Sequence, residues 1–437
     1  DVIPYSNVIQ FSPNSEWLAV VKGLTLSVYD VSQLNVIASY SVLDQVTLLE
    51  WSPDSQFILC AQAKRGVLQA FAVHDSQWSA KINLGVSGLT GARWAPDSRQ
   101  VLVTTEFQLR LSIWSFVNKN VAHIKNPKFA DKGIAFSSEG KFMALAERHE
   151  CRDYIGIYFT HDWQLVSHFA VDTFDLENIT WTPDDTAIIV CDSCLAYNLL
   201  VYSPTGNLLS KSKAYDNALG IKSLKISPNG NFIAVGSYDQ SARVYSHISW
   251  RQLIEYPHSA SLTEGVELHI YREEEYREGD ALSSRYEMQS LPIKIPALKV
   301  PADKPNPPVG VSLVAWSFDS RYLATRNDNM PNVLWIWDME TLALHILLIQ
   351  KQPIKSLSWS PKSLHLAFST STARLFLWSL DGASVCDVPI DLSVFNVNKL
   401  SWSPDGQCLL IQDKAQAIVV YAQDLSGVDL SYLPLIC

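Results

Sequence analysis

The chain has no apolar run long enough to cross a bilayer; its longest, such as Thr186 to Cys191, are strand-sized. It has no basic stripe. Lys plus Arg number 34 against 44 Asp plus Glu, a net charge of −10, where a nucleic-acid surface would gather positive charge. Coiled-coil heptads are absent, so any long-range tethering is expected to come from partners. There is no Gly-x-Ser-x-Gly nucleophile elbow, no Walker loop and no dinucleotide fingerprint, which argues against an enzyme. Seven cysteines, an odd number scattered through apparent strands, read as reduced core thiols of a cytosolic protein. No secretory signal is visible, and an Asp at position 1 reads as a chain whose upstream part has been removed.

What is present is a repeat. The phrase reads Phe11-Ser-Pro-Asn-Ser15, Trp51-Ser-Pro-Asp-Ser55, Trp94-Ala-Pro-Asp-Ser98, Phe136-Ser-Ser-Glu-Gly140 and Trp181-Thr-Pro-Asp-Asp185. It continues as Ile226-Ser-Pro-Asn-Gly230, Trp316-Ser-Phe-Asp-Ser320, Trp359-Ser-Pro-Lys-Ser363 and Trp402-Ser-Pro-Asp-Gly406. The intervals are 40, 43, 42, 45, 45, 90, 43 and 43 residues. A period in the forties is that of WD-type propeller blades. Each phrase ends one strand in a tight turn, because Pro presets the backbone angle and Asp, Asn and Gly tolerate the turn geometry after it. A second strand, a third ending in an aromatic (Val28-Tyr29, Ile113-Trp114, Val244-Tyr245) and a more polar fourth complete a blade. One blade cannot bury both its faces, so neighbours must stack, in keeping with 47% apolar content.

Nine units predict an all-β, WD-type propeller, a single nine-bladed ring, with seven blades plus a two-blade appendage as the alternative. Blades one to six take residues 1–257 and blades seven to nine take 309–437. Only Trp337-Asp338 is a literal Trp-Asp pair and the Gly-His dipeptide is missing, so the Asp-His-Ser-Trp network of typical WD blades is expected to be incomplete. Closure is expected to need upstream residues or an outer strand from the tail 427–435.

Residues 258–308 form one insertion. From Glu264 to Glu287 it carries eight acidic residues, Glu273, Glu274 and Glu275 among them, against three Arg; a Pro-rich stretch begins at Leu291. It reads either as a solvated, partly disordered loop or as a docking segment for a basic or apolar-grooved partner. The Ile/Leu/Val spacing of 291–300 would also let it lie on its own propeller. Blade topology places this connection on the same rim as the loops between second and third strands. That rim would carry Arg148, Arg152, Asp153, Arg326, Asn327, Asp328 and Asn329, with Tyr197, Tyr215 and Tyr238 as aromatic anchors. For Arg326 to Asn329 the competing reading is local, with Asn and Asp capping their own turn. No cofactor or metal is expected. Cys191-Asp-Ser-Cys194 has no second pair to complete a zinc site, and His149-Glu150 lacks the second His of a zincin helix. Most of the fourteen Trp read as core, with Trp78, Trp163 and Trp250 the better candidates for exposed contacts.

The stretch Arg321-Tyr-Leu-Ala-Thr-Arg-Asn-Asp-Asn-Met-Pro-Asn-Val-Leu-Trp-Ile-Trp-Asp338 resembles the WD repeat-containing protein 8 family of centrosomal and spindle-pole proteins. So do Leu43-Asp-Gln-Val-Thr-Leu-Leu-Glu-Trp51, Glu147-Arg148 with Cys151-Arg-Asp-Tyr154, and Gly236-Ser-Tyr-Asp239. The likeness runs the whole length in register, while the first half of the insertion departs from it. The resemblance implies a non-catalytic scaffold of the spindle pole body or centrosome, in the cytoplasm and cytoskeleton. Its implied partners are a coiled-coil anchoring protein of the synovial sarcoma X breakpoint-interacting type and, through it, a minus-end-directed kinesin-14. Microtubules would be reached indirectly, and neither nucleic acid nor membrane is expected. Alternative readings are a translation-initiation-type propeller, disfavoured by the negative charge, and a ubiquitin-ligase substrate receptor, for which no adaptor-binding helix is evident.

Overall fold

A computed structural model describes residues 2–422 except 6–7, 107–109, 265–267, 279–280, 301–305 and 389–394. Among the described residues eight blades share one plan, four antiparallel strands in chain order; blade two runs Leu48–Trp51, Phe57–Gln62, Val67–Ala72 and Ser79–Asn83. The fold is an all-β, WD-type propeller arrangement of nine blades. Blade nine follows the plan with Lys399–Trp402, Cys408–Gln412 and Gln416–Tyr421. The tail 427–435, expected there from sequence, lies outside the described residues. The chain divides into two compact units, one with blades one to five and one with blades six to nine and the insertion.

Within each unit the repeated phrase supplies both the turn and the links between blades. The hydroxyls of Ser12, Ser52, Ser227 and Ser317 donate to the Asx two residues on, at 2.6–2.7 Å. The same oxygens accept the backbone N–H five residues on, from Trp17, Phe57, Phe232 and Tyr322. The turn is therefore closed by chemistry local to the phrase. Its fifth residue takes a left-handed backbone, φ 61° at Ser55 and 58° at Asp185, where Gly would be easier. The side chain that Gly lacks is used: Ser55 accepts from Asn14 N of the preceding blade, Ser98 from Asp54 N, and Ser320 from Asn229 N. The phrase Trp does the same from the other side. Trp51, Trp94, Trp181, Trp316, Trp359 and Trp402 each donate an indole N–H to a carbonyl of the preceding phrase strand at 3.0–3.2 Å. Between blades the aliphatic strand residues pack into contiguous cores, such as Leu59, Leu68, Ile82, Trp94 and Val103 between blades two and three. Trp78, Trp163 and Trp250 serve packing too: Trp78 lies against Phe57, Trp163 is buried with its indole on Gln100, and Trp250 meets His247.

The expected shortfall in the WD hydrogen-bond network is only partial. His258, preceded by Pro257 rather than Gly, is buried; its Nε2 stands 2.7 Å from Thr325 Oγ1, which also accepts the Trp337 indole at 2.8 Å. Burial pushes the His258 pKa down to about 4. The unfolded chain binds this proton near the ordinary value of about 6.5 and the folded chain does not. Stability is therefore free of this penalty above pH ~6.5 and declines as pH falls towards 4, by on the order of 3 kcal/mol. Urea midpoints measured from pH 7.5 to 4.5 should fall more steeply for the native chain than for His258→Gln. Equal slopes would refute the assignment.

The insertion corrects the reading of a solvated loop. His269–Glu278 and Ala281–Gln289 form a long antiparallel hairpin. Its first strand adds in parallel to the outer strand Ala343–Ile349 of blade seven, from His269↔Ile346 to Arg272↔Ile349, giving a six-stranded sheet. Both faces of the hairpin carry core residues. Ile270, Ile293 and Ile295 join the core around Val311 and Trp335, and Tyr286 enters the core between blades seven and eight beside Phe376. Of the apolar residues after Leu291, Ile293 and Ile295 are buried, Ile293 pairing with Leu262 in a short ribbon, while Leu298 keeps its side chain exposed and only its N donates to Asn329 O.

Candidate partner-binding surfaces

In the first unit the second and third strands of blade four, Phe142–His149 and Arg152–Phe159, are eight residues each and project a tight turn at Glu150 and Cys151. Arg148 and Asp153 stand opposite one another in this hairpin. Asp153 is 3% exposed and fastens the next connection, accepting from Leu176 N at 2.6 Å and Thr173 Oγ1 at 3.2 Å. Lys128, also buried, bonds Asp153 at 3.0 Å, Asp175 at 2.7 Å and Leu176 O at 2.6 Å. Arg148 is half-exposed and bridges to Asp175. The Lys128 bond, and then Arg148 against the cost of burial, hold the Asp175 carboxyl below its ordinary range. Buried Asp192 completes the frame by accepting from Phe174 N and Asp175 N, each at 2.9 Å.

The outcome is a connection fixed through its backbone that presents Phe174 at 77% exposure, next in sequence to the Asp175 paired with Arg148; Arg152, in the neighbouring hairpin, is also exposed. An exposed aromatic on a backbone fixed before binding needs no loop ordering on contact, which favours a binding hot spot. Sequence reasoning missed Phe174. Its signal was an aromatic between Asp172 and Asp175 in a connection between blades, and the anchoring carboxylates sit on other strands.

Several expected contact residues are spent inside the fold. In the second unit Arg326 donates to Ile354 O at 2.6 Å and reaches Asp328 and Ser312. Asp328 bonds Lys222 at 2.7 Å; burial would raise its carboxyl, but Lys222, Ser312 and Arg326 outweigh that and hold it low. Lys222 also lies over the Tyr238 ring, whose hydroxyl donates to Asn306. Asn327 and Asn329 are buried, both bonded to Gln240, and Asn327 accepts from Gly310 N. The side chains of this loop bond Ile354, Lys222, Gln240 and Gly310 more than their own turn, and its backbone holds the end of the insertion at Leu298 and Gly310. Tyr197 is buried and shares a hydroxyl contact with Tyr245 at 2.8 Å, while Tyr215 is half-buried. Neither stands out as an exposed anchor.

The acidic run is a further correction. Glu273 is 3% exposed, accepts from Ser284 Oγ and Lys351 N, and faces Arg374. Glu274 pairs with Lys351 and Glu275 with Arg374, at 3.0 Å each. These carboxylates hold the hairpin to blades seven and eight instead of forming an acidic docking strip. Among the described residues the six cysteines are free; Cys191 is buried, its thiol pushed up to about 12 by desolvation, while Cys194 is exposed.

The family model for the WD domain, G-beta repeat, matches residues 206–246, which cover the end of blade five and most of blade six. Among solved structures the chain is similar to the C-terminal WD40 domain of Sif2, with a TM-score of 0.52 over 96% of this chain and 97% of that one. At 12% identity that likeness shows the fold alone. An uncharacterized WD repeat-containing protein of Schizosaccharomyces pombe is 25% identical over 86% of this chain and 80% of its own length. The WD repeat-containing protein WRAP73 of Mus musculus is 38% identical over 97% of this chain and 95% of the relative. With the blades, the loops and the insertion all inside that alignment, the chain belongs to the WD repeat-containing protein family that includes WRAP73.

Proposed function

We propose that this chain is a non-catalytic scaffold of the spindle pole body or centrosome. In this reading it binds a coiled-coil anchoring protein and, through it, a minus-end-directed kinesin-14, and so anchors microtubule minus ends. The observation that carries the reading is the near full-length likeness to WRAP73, which takes in the loops as well as the repeat. The first-unit connection around Phe174 supports it by offering a preformed contact surface of one aromatic among paired charges. Tubulin surfaces are acidic, so a chain of net charge −10 is better suited to reach microtubules through a partner.

Phe174 makes no core contact that its loss would empty, so Phe174→Ala should leave the melting curve unchanged. Combined with Arg152→Ala it should weaken partner capture by about 30-fold, the loss of one hot spot worth about 2 kcal/mol. The test is affinity capture from cell extract, read by mass spectrometry. Recovery of a coiled-coil pole protein and a kinesin by the native chain, lost in the variant, is the expected result. Capture of ribosomal or ubiquitin-ligase subunits in their place would overturn the reading.

A further inference from the structure

Blade four holds a second constellation, separate from the surface around Phe174. Glu147 and His149 stand two residues apart on the second strand and so project to one face. Glu147 is 3% exposed. Its Oε1 accepts the Tyr158 hydroxyl at 2.6 Å, and its Oε2 lies 3.2 Å from Nε2 of His149 and 3.2 Å from Nε2 of His168.

His168 belongs to the outer strand Leu165–Ala170, two strands away from Glu147. Backbones two strands apart are roughly 9.5 Å from one another, so such a contact needs room over the strand between. Gly156 provides it. It stands in register with His168, and a Cβ there would strike the Glu147 carboxylate and come within 2.7 Å of the Tyr158 ring. The absent side chain is what lets one carboxylate meet both imidazoles.

Both rings are held. His168 stacks on Tyr154 at 4.9 Å and 7°, and His149 meets the same ring edge-on at 5.5 Å. His149 Nδ1 is 3.0 Å from the Asn126 amide. That amide can turn its oxygen to accept Nδ1–H, which leaves the Nε2 lone pair free. A hydrogen-bonded second nitrogen is the usual support of a metal-bound histidine. All three ligand atoms lie within 4.8 Å of one another. Around a tetrahedral zinc with bonds of about 2.0–2.1 Å, ligand atoms stand about 3.3 Å apart. Two of the three separations already match that figure.

We propose that Glu147, His149 and His168 form a site for a zinc-class divalent cation. Two neutral imidazoles and one carboxylate are a donor set of that class. The carboxylate lies deep and the imidazoles are partly exposed, side chains at 37% and 33%, so a fourth position opens outward to water or to a side chain of a partner. The ion would tie the outer strand of blade four to its second strand.

The test uses the full chain and the metal alone. Isothermal titration with zinc should show one saturable site per chain, and zinc should raise the melting temperature. Cobalt(II) in its place should give the visible absorption of a four-coordinate N/O site. His168→Ala removes a partly exposed ligand and should fold normally, lowering affinity by about 100-fold or more and erasing the cobalt spectrum. Asn126→Ala should cost about 10-fold, as loss of an outer partner does. Cys151→Ser, in the adjacent turn, should change neither. Absence of one-to-one binding in the native chain, or binding that survives His149→Ala with His168→Ala, would overturn the site, as would loss of binding on Cys151→Ser.

Discussion

Arg374→Ala is expected to destabilise the second unit by about 3–5 kcal/mol, the cost of breaking a buried ion pair by removing one partner. Arg374 is 9% exposed in the third strand of blade eight and faces the hairpin of the insertion. Its guanidinium bonds Glu275 at 3.0 Å, Ser284 at 2.7 Å and Asp387 at 3.3 Å, and lies 3.7 Å from Glu273. Without it the Glu273 carboxylate stays buried, held by the Ser284 hydroxyl and Lys351 N but with its nearest cation gone. The effect should be local as well as global. Hydrogen exchange across His269–Glu278 and Ala281–Gln289 should speed up far more than exchange in blade six. Arg374→Lys, which keeps the charge but not the fork, should fall between. A hairpin whose exchange is unchanged in Arg374→Ala would refute this account of how the insertion is held.

Asp153→Ala is expected to cost a similar 3–5 kcal/mol in the first unit. It strands Lys128, a side chain only 6% exposed, with Asp175 as its remaining carboxylate, and leaves Leu176 N without its acceptor. Asp153→Asn should cost less, because an amide oxygen still accepts from Leu176 N. Adding Lys128→Met to Asp153→Asn should recover stability relative to Asp153→Asn alone, since the uncompensated charge goes with it. Urea denaturation of the native chain, Asp153→Asn, Lys128→Met and the double variant gives the cycle. A loss under 1 kcal/mol in Asp153→Ala would show that the network contributes little. The same variant should also blunt partner capture, because Asp153 fastens the connection that displays Phe174.

The propeller was legible because its signal is local. In five of the nine phrases, those holding Ser12, Ser52, Ser227, Ser317 and Ser403, a Ser hydroxyl, an Asx two residues on and an amide five residues on close the turn. The Trp that opens the phrase and the Ser or Asp that ends it also link neighbouring blades, so periodicity and stacking come from the same residues. The insertion misled for the opposite reason. Glu273, Glu274 and Glu275 in a row read as a solvated run, yet their partners Lys351 and Arg374 lie in blades seven and eight, far along the chain. A charge run is solvated only where no opposite charge meets it, and sequence does not show who meets whom.

Blade count, strand order and family likeness could all be read along the chain. Tertiary structure alone decided which polar loop residues are exposed and which are consumed. Arg148 and Asp153 face each other across one hairpin, but whether either is available depends on Lys128 and Asp175, brought in by the connections before and after blade four. The same holds for Glu147, His149 and His168, whose meeting rests on strand register and on a missing Cβ at Gly156. Local turn chemistry acts over five residues and repeats; charge pairing and ligand geometry act through space, and only the packed strands fix those distances.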